Sequence, residues 1–449
     1  MSGNTNIENK FRLTGTTIAG KWRRFTDSDG EQRIQLVKGL ARRLVSRALG
    51  FSISLLFHLI SLGRPVRIGT LNAKGKISIM ISYIEPYMRQ LQLDGGRKPL
   101  VIVINPGKCP NKQLSRMYGR AVWLLDDRRP WLRKLFTVIF HILSAAGSPK
   151  AAYLYSGHTY EFHRAWQEGE PVLRFSAEEH RKGEHVLANL GIPQGAPYIC
   201  FGLREAAYYQ EFLTPEAQVL YSNPEDREDT YIRNPPLKNY IPMALQCSNV
   251  GLYILRMGKA VDESLPPDLH PNIIDYASKH WTPFGDVYLL ANCKFVVAGG
   301  AGLWWIASAF NRPVVMTDTY LLWGTIRADD LFIPKKLWLI SEKRFLTFRE
   351  MLAVGPLYMY QANCLRDGIE LVHNTPDEIS ALVLEMEQRL NRAWKSSEED
   401  EELQHRFKSL YPPHVSPRVD ERHDFFKPNV RIPGRIGAEF LRQYVHLLN

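Results

Sequence analysis

Short apolar runs alternate with amphipathic segments along the first half of the chain. The run at residues 100–105 is rich in β-branched residues, too short for a helix, and stopped by Pro106-Gly107, which is typical of a buried strand. A similar run at 65–70 precedes a helical pattern at 77–92, and strand, helix and strand in succession indicate a parallel sheet. The same pattern predicts a strand at 121–125, a helix at 131–144 and a strand at 151–155.

A charged helical segment at 176–190, followed by Pro193 and Pro197, predicts a boundary between two α/β domains. The second domain begins with the apolar strand 198–202. Its further elements are predicted as helices at 237–248, 286–292, 303–310 and 376–394, and strands at 250–256, 295–298 and 313–317. The predicted units are an N-terminal arm at 1–62, domains at 63–190 and 191–395, and an acidic linker with a C-terminal helix at 396–449.

The N-terminal arm is basic. Residues 1–70 hold twelve Lys and Arg against four acids, which accounts for +8 of the net charge of +11. A helix over 35–49 would place Lys38, Arg42, Arg43 and Arg47 on one side, and the apolar stretch 51–62 follows it. Two interpretations stay open: docking on an anionic membrane surface, or a helix packed on the first domain with solvated arginines. Nucleic-acid binding is disfavoured because no basic run is interleaved with aromatic residues.

Composition agrees with a globular protein of two cores, since 449 residues with 45% hydrophobic content exceed what one core usually holds. The five cysteines form no CxxC pair, and the N-terminus has no secretory pattern, so we expect a cytoplasmic protein, at most peripheral to the membrane. The thirteen histidines form no HxxxH or HExxH array, and the DxD motif Asp27-Ser28-Asp29 lies in a polar tail. Neither a metal nor another cofactor is therefore expected.

A glycine-rich turn carries the clearest chemical signal. Gly299, Gly300, Ala301 and Gly302 lie between a predicted buried strand and a predicted helix, where free backbone NH groups at a helix start can bind an anion. The alternative is a tight turn without a ligand. Arg204 and Arg256 follow two other predicted strands, and two guanidinium groups beside such a turn would form a diphosphate clamp.

The second half resembles a bacterial glycosyltransferase family of GT-B architecture, found around surface-polysaccharide genes and distantly related to fucosyltransferases. The resemblance rests on segments in the family's order: LREAAYY (203–209), YIRNPPLKNY (231–240), LRMGKAV (255–261), IIDYASKH (273–280), DVYLLANCKFVV (286–297), AFNRPVV (309–315), LTFREML (346–352) and NTPDEI (374–379). The chain has Leu203-Arg204-Glu205 where the family has VRD, prolines after Arg233-Asn234 where an acid is expected, and Ala301 where Ser is frequent.

The resemblance implies two Rossmann-like domains and metal-independent transfer from a nucleotide sugar to a glycan or lipid-linked acceptor. The implied reacting centre has Glu205 as the base and Arg204 beside it. The implied donor site comprises Arg204, Tyr208, Arg256, Met257, Gly258, Asp275, Tyr276, Asp286, Gly299, Gly300, Ala301 and Gly302. The acceptor is expected near Gly69, Asn72 and Asn105. Helix capping is an equally good explanation of Asp275 and Asp286.

Two other functions remain open from the sequence. One is a nucleotide-sugar epimerase, which can share this fold and would turn over donor without an acceptor. The other is a non-catalytic donor-binding protein, which the substitutions at Glu205, Pro236 and Ala301 would suit.

Overall fold

The protein is a mixed α/β structure with two parallel sheets, seen in a computed structural model. The structure describes residues 30–61, 64–71, 76–96, 98–105, 109–148, 150–153, 163–207, 231–320, 325–354, 358, 360–411 and 432–449.

The first sheet has four parallel strands in the order β3-β2-β1-β4. These are β1 (Val66–Thr70), β2 (Leu100–Ile104), β3 (Trp123–Leu125) and β4 (Ala151–Tyr153). Alternate residues of β2 face opposite sides: Val101 and Val103 join the large core shared with the rest of the chain, whereas Ile102 and Ile104 join a smaller core. Both faces are therefore covered, as the uninterrupted apolar run predicts.

The helices of the first half are α1 (Gly30–Ile60), α2 (Ile77–Leu93), α3 (Lys112–Ala121), α4 (Pro130–Ala145), α5 (His163–Glu168) and α6 (Ala177–Asn189). Helices α1 and α4 pack together over the smaller core, with partly buried Ile53 and Phe57 of α1 contacting it. Helix α1 is thus a single element of 31 residues. One face of it packs on the first sheet, which fits the second interpretation of the basic arm.

The second sheet has seven parallel strands in the order β14-β10-β9-β8-β5-β6-β7. These are β5 (Tyr198–Leu203), β6 (Tyr253–Met257), β7 (Ile273–Ile274), β8 (Val296–Gly299), β9 (Val314–Thr319), β10 (Leu331–Pro334) and β14 (Arg435–Ile436). Strand β5 lies between β8 and β6 and is buried at every position. A small antiparallel sheet that the sequence pattern did not predict contains β11 (Lys336–Leu339), β12 (Arg344–Phe345) and β13 (Ile369–Val372).

The later helices are α7 (Ile241–Asn249), α8 (Tyr276–Lys279), α9 (Pro283–Asn292), α10 (Trp304–Ala309), α11 (Phe348–Val354), α12 (Gln361–Asp367), α13 (Pro376–Leu390), α14 (Glu398–Ser409) and α15 (Ala438–Gln443). Short 3₁₀ helices span Tyr231–Arg233, Leu237–Tyr240 and Val445–Leu448. Within the described ranges, none of the helices combines the length and hydropathy needed to cross a bilayer.

The C-terminal region differs from its prediction. The acidic run at 396–402 is the start of α14, because Ser397 and Asp400 form a capping box and the acids stabilise the first turn. Asp400 is buried and pairs with Arg442. At its C-terminal end the chain adds β14 beside β10 and then forms the short helix α15 and a 3₁₀ turn.

Arg89 on α2 connects the first half of the chain to the second. Its guanidinium pairs with Glu85 at 2.9 Å and donates to Asn311 Oδ1 and the Ala309 carbonyl, both at 2.8 Å. Asn311 follows α10 in the second half, so the fully buried Arg89 side chain holds the two halves together.

Candidate functional site

The strand order of the second sheet defines where a ligand can enter. From β5 the chain proceeds to β6 on one side and later to β8 on the other, so the direction of winding switches between β5 and β8. Ligands of open parallel sheets bind outside the carboxyl ends of the strands at such a switch point. Arg204 follows β5, and its backbone NH donates to the Gly299 carbonyl at the end of β8 at 2.9 Å. The predicted arginine and glycine turn are therefore neighbours.

Two glycines of the turn are required for different reasons. A Cβ on Gly299 would lie 2.4 Å from the Tyr240 hydroxyl and 2.8 Å from Leu203 Cδ2, so the site has no space for a side chain. Gly300 has a φ of +71°, in the left-handed region that side chains disfavour. The turn is fixed by packing on one side and by backbone conformation on the other.

A cleft that is partly open to solvent lies at this switch point, with about 810 Å³ of empty space when the open solvent at its mouth is included. Its walls come from both halves of the chain: Lys76, Ile77, Ser78, Pro110 and Asn111 from the first, and Leu203, Arg204, Glu205, Gly258, Lys259, Ala260, Trp281, Asp286, Gly300, Ala301, Gly302 and Leu303 from the second. The halves approach closely here, because a Cβ on Gly302 would lie 3.4 Å from Ser78 Cβ.

The helix after the turn is shorter than predicted. Helix α10 spans six residues, and it ends before Asn311, whose φ of +58° is incompatible with a continuing helix. A helix this short carries only a small macrodipole, so the predicted anion site at its start loses much of its electrostatic basis. Positive charge in the cleft has to come from side chains.

Arg204 is one such side chain, and it has cationic neighbours that the sequence analysis missed. Its guanidinium donates to Asn234 Oδ1. Burial lowers the pKa of Lys335 to about 8, Asp318 opposes this, and the positive charges of Arg233 and Arg204 lower it further. Three cations thus share the region around the glycine turn. Arg233 belonged to the YIRNPPLKNY segment, whereas Lys335 carried no signal beyond following a buried strand.

Arg256 is not placed as the clamp hypothesis requires. It is fully buried, its Nη2 donates to Glu205 Oε1 at 2.8 Å, and its Nη1 donates to the Glu263 carbonyl. Its other acidic neighbour is Asp275, at 3.8 Å. Arg256 does not line the cleft, because these groups hold it inside the protein below the loop that follows β6. Of the two predicted clamp residues, Arg204 lines the cleft and Arg256 does not, and their binding of a diphosphate stays a prediction.

Glu205 lines the cleft, but both of its carboxylate oxygens are engaged. Oε1 accepts from Arg256, and Oε2 accepts from the backbone NH of Asp262 at 2.6 Å. Burial raises its pKa, and the charge of Arg256 opposes this. These contacts tie Glu205 to the loop after β6, and its predicted role as the base stays a prediction.

Asp286 is the other carboxyl group of the cleft, and it has a different environment. It lies in the first turn of α9, 1% exposed, with Oδ2 accepting from Trp281 Nε1 at 2.8 Å. Its Oδ1 is buried and has no hydrogen-bond partner in the described part of the chain. Burial raises its pKa to about 7, although the Trp281 hydrogen bond and the charge of Lys259 act to lower it. Asp286 can exchange a proton near neutral pH.

The remaining donor-side residues are mostly internal. Asp275 caps α8 and accepts from the Leu265 NH at 2.9 Å, so the capping explanation fits it. The Tyr276 hydroxyl donates to the Thr282 carbonyl, and Met257 is a core residue. Among the members of this group that the structure describes, only Gly258 lines the cleft. Tyr208 lies outside the described residues.

On the acceptor side, Gly69 lies within β1 and Asn105 directly follows β2, while Asn72 lies outside the described residues. Asn105 is fully buried, and neither of its side-chain polar atoms has a hydrogen-bond partner among the residues that the structure describes. Neither Gly69 nor Asn105 lines the cleft.

The structure offers no candidate metal centre in the ranges it covers, since no group of three or more His, Cys, Asp or Glu could hold an ion there. The motif Asp27-Ser28-Asp29 lies outside those ranges.

Comparisons with known proteins gave structural similarity only. No family model and no curated protein matches the chain. Similar solved structures include the ADP-heptose lipopolysaccharide heptosyltransferase II of E. coli (16% identity, TM-score 0.35, covering 56% of this chain and 84% of that one). Others are a glycosyl transferase family 9 protein of Veillonella parvula (9%, 0.34, 56% and 80%) and E. coli heptosyltransferase WaaC with ADP (11%, 0.31, 60% and 91%). Because these TM-scores lie below 0.5, we infer neither fold nor function from them.

Proposed function

We propose that this protein is a glycosyltransferase that moves a sugar from a nucleotide-sugar donor to a glycan or lipid-linked acceptor in surface-polysaccharide synthesis. The observation that carries the proposal is the cleft at the β5–β8 switch point, which joins Arg204, the glycine turn and a titratable carboxyl group between the two halves. In a GT-B arrangement, the first half would bind the acceptor and the second half the donor.

The charge of the cleft suits a diphosphate. Lys76, Arg204 and Lys259 supply three positive charges to its lining. Of the two acids, Glu205 is paired with Arg256, and Asp286 is only partly ionised near neutral pH because its pKa is about 7. The lining residues thus include more basic than acidic side chains, which would favour an anionic donor.

We assign the base of the reaction to Asp286 in place of Glu205. In an inverting transfer, the acceptor oxygen bonds to the anomeric carbon while the bond from that carbon to the diphosphate breaks. The acceptor proton would pass to Asp286 Oδ1, and the diphosphate would leave with the bonding electron pair, its charge balanced by Arg204 and Lys259. Trp281 would hold the carboxylate through Oδ2 and leave Oδ1 for the proton.

The experiment that tests the proposal is a thermal-shift screen of UDP-, GDP-, CMP- and ADP-sugars, followed by transfer assays with the donor that stabilises the protein most. Stabilisation by one nucleotide class and acceptor-dependent release of its nucleotide would support the transferase. Conversion of the donor sugar without an acceptor would favour the epimerase instead. Tight binding without transfer over a broad acceptor panel would favour the non-catalytic alternative.

The place of the reaction is also a proposal: the cytoplasm, at the inner face of the membrane, where a lipid-linked acceptor would be met. It requires a surface that binds lipid.

A further inference from the structure

Most of the exposed large apolar side chains in the described ranges belong to two adjacent helices. Of sixteen such residues, nine lie on α1, three on α4 and four elsewhere. The three on α4 are Trp131, Leu135 and Val138. Single exposed apolar residues are normal on a protein surface, but a concentration of this kind marks an interaction site.

The two helices form one surface because they are in direct contact. A Cβ on Gly50 of α1 would lie 2.4 Å from Ala146 Cβ just after α4, so the backbones can approach only because residue 50 is glycine. The rings of Phe57 and Phe136 lie 6.2 Å apart, and Ser54 Oγ is 3.3 Å from Ser148 Oγ. The positions of α1 that face α4 are thus used internally, and Phe51, Leu55 and Leu59 are left exposed.

The charged residues within the stretches that hold these apolar side chains have one sign. Neither residues 32–60 nor residues 130–145 contain an Asp or Glu. Lys38, Arg47 and Lys134 are exposed beside the apolar residues. Exposed apolar side chains with basic residues and an exposed tryptophan are the composition of helices that lie in the headgroup region of anionic bilayers.

We propose that α1 and α4 together form a docking surface for anionic lipid, with α4 as a necessary half of it. The lipid's acidic headgroups would pair with the basic residues, and the apolar side chains would enter the boundary between headgroups and acyl chains. This inference does not depend on the transferase proposal, since it concerns the side of the first sheet opposite the second half.

The test is sedimentation of the full chain with vesicles of phosphatidylcholine, with and without phosphatidylglycerol, at low and high salt. We expect the protein to pellet with the anionic vesicles at low salt, to bind them more weakly but measurably at high salt, and to bind neutral vesicles poorly. Lys38→Gln with Arg47→Gln should lower the partition coefficient at low salt roughly thirtyfold, from about 1 kcal/mol for each basic residue.

The role of α4 in lipid binding can be tested against a matched control variant. Trp131→Asp with Leu135→Asp should reduce binding roughly tenfold or more, because two apolar groups are lost from the boundary region and two like charges face the lipid. Ile340→Asp with Leu365→Asp changes two other exposed apolar residues, outside α1 and α4, and should leave binding unchanged. Both double variants should unfold at the same temperature as the unchanged protein.

Three outcomes would overturn the proposal: no protein in the anionic pellet at low salt, equal loss in the control variant, or full binding by the α4 variant. A fourth is a dimer that the α4 variant dissociates while vesicles are ignored, which would make the surface a contact between copies of this chain.

Discussion

Asp286 and Asp330 are both buried carboxyl groups whose pKa burial raises to about 7, but their surroundings differ. Asp330 accepts hydrogen bonds from the NH groups of Val314 and Arg327, one at each oxygen, and does not line the cleft. Asp286 lines the cleft and has an unpartnered oxygen. Comparing variants of these two residues therefore distinguishes the effect of burying a carboxyl group from an effect on the reaction.

We expect Asp286→Asn to abolish transfer. We also expect the free energy of unfolding of this variant to increase relative to that of the unchanged protein as pH rises. A carboxyl group with a raised folded pKa stabilises the fold below its unfolded pKa of about 4, and this contribution is lost as pH rises through about 7. Asparagine does not ionise, so the stability difference should grow between about pH 4 and about pH 7 and level off above that. Denaturant unfolding across this range measures it.

The rate of the unchanged protein should rise with pH through about 7, because the base must be ionised. Asp330→Asn serves as the control and should leave the pH dependence of the rate unaltered. Full activity in Asp286→Asn together with loss of activity in Glu205→Gln would return the base to Glu205.

Arg204 and Arg256 should respond differently to removal. Arg204→Ala is expected to weaken nucleotide-sugar binding by about tenfold or more, since a charge-assisted contact is worth roughly 1.5 to 3 kcal/mol. Arg256→Ala should instead lower the free energy of unfolding by about 3 to 5 kcal/mol, because Glu205 would lose its buried partner. Calorimetry with the best donor and denaturant unfolding measure the two effects. Unchanged donor affinity in Arg204→Ala would exclude it from the donor site.

At the scale of elements, the contact between α1 and α4 can be tested by exchanging its two small residues. Gly50→Ala should destabilise the protein by about 1 to 3 kcal/mol, because the new methyl group meets Ala146 Cβ. The double variant Gly50→Ala with Ala146→Gly should recover much of that loss, since the methyl group only changes sides. Thermal unfolding measures both, and equal losses in the single and double variants would contradict the packing.

The strands of the first sheet and four strands of the second (β5, β6, β8 and β9) could be predicted, because buried parallel strands are continuous apolar runs, as in β2 and β5. The short strands β7, β10 and β14 and the small antiparallel sheet were not predicted. Strand β11 begins with Lys336. A charged residue predicts an exposed position, but Lys336 is buried in the fold and pairs with Glu378. A local pattern cannot show that a lysine will meet its partner 42 residues later.

The candidate site could be predicted where chain order alone brings residues together. Arg204 and the glycine turn follow strands that became neighbours, so their proximity was foreseeable. Arg256 also lies near the end of a strand. The orientation of its side chain, however, depends on Glu205 and the Glu263 carbonyl, and the sequence spacing does not reveal these contacts. Which oxygen of Asp286 is left without a hydrogen bond likewise depends on which oxygen Trp281 contacts.

At the scale of the whole molecule, we expect transfer to continue in excess EDTA. Lys76, Arg204 and Lys259 provide positive charge in the cleft, so a cation is not required to balance a leaving diphosphate. The measurement is turnover with and without the chelator. Loss of turnover that Mg²⁺ or Mn²⁺ restores would refute metal independence.

The position of α1 and α4 also sets the distance between a bound membrane surface and the cleft. They cover one face of the first sheet, while α2, whose start lines the cleft, belongs to the core on the other face. A lipid surface on α1 and α4 would be separated from the cleft by one helix layer and the sheet, about 20 Å for layers of roughly 10 Å each. An acceptor anchored in that membrane would have to span this height. Long carbohydrate chains would reach the cleft, whereas a sugar attached directly to its lipid would remain below it.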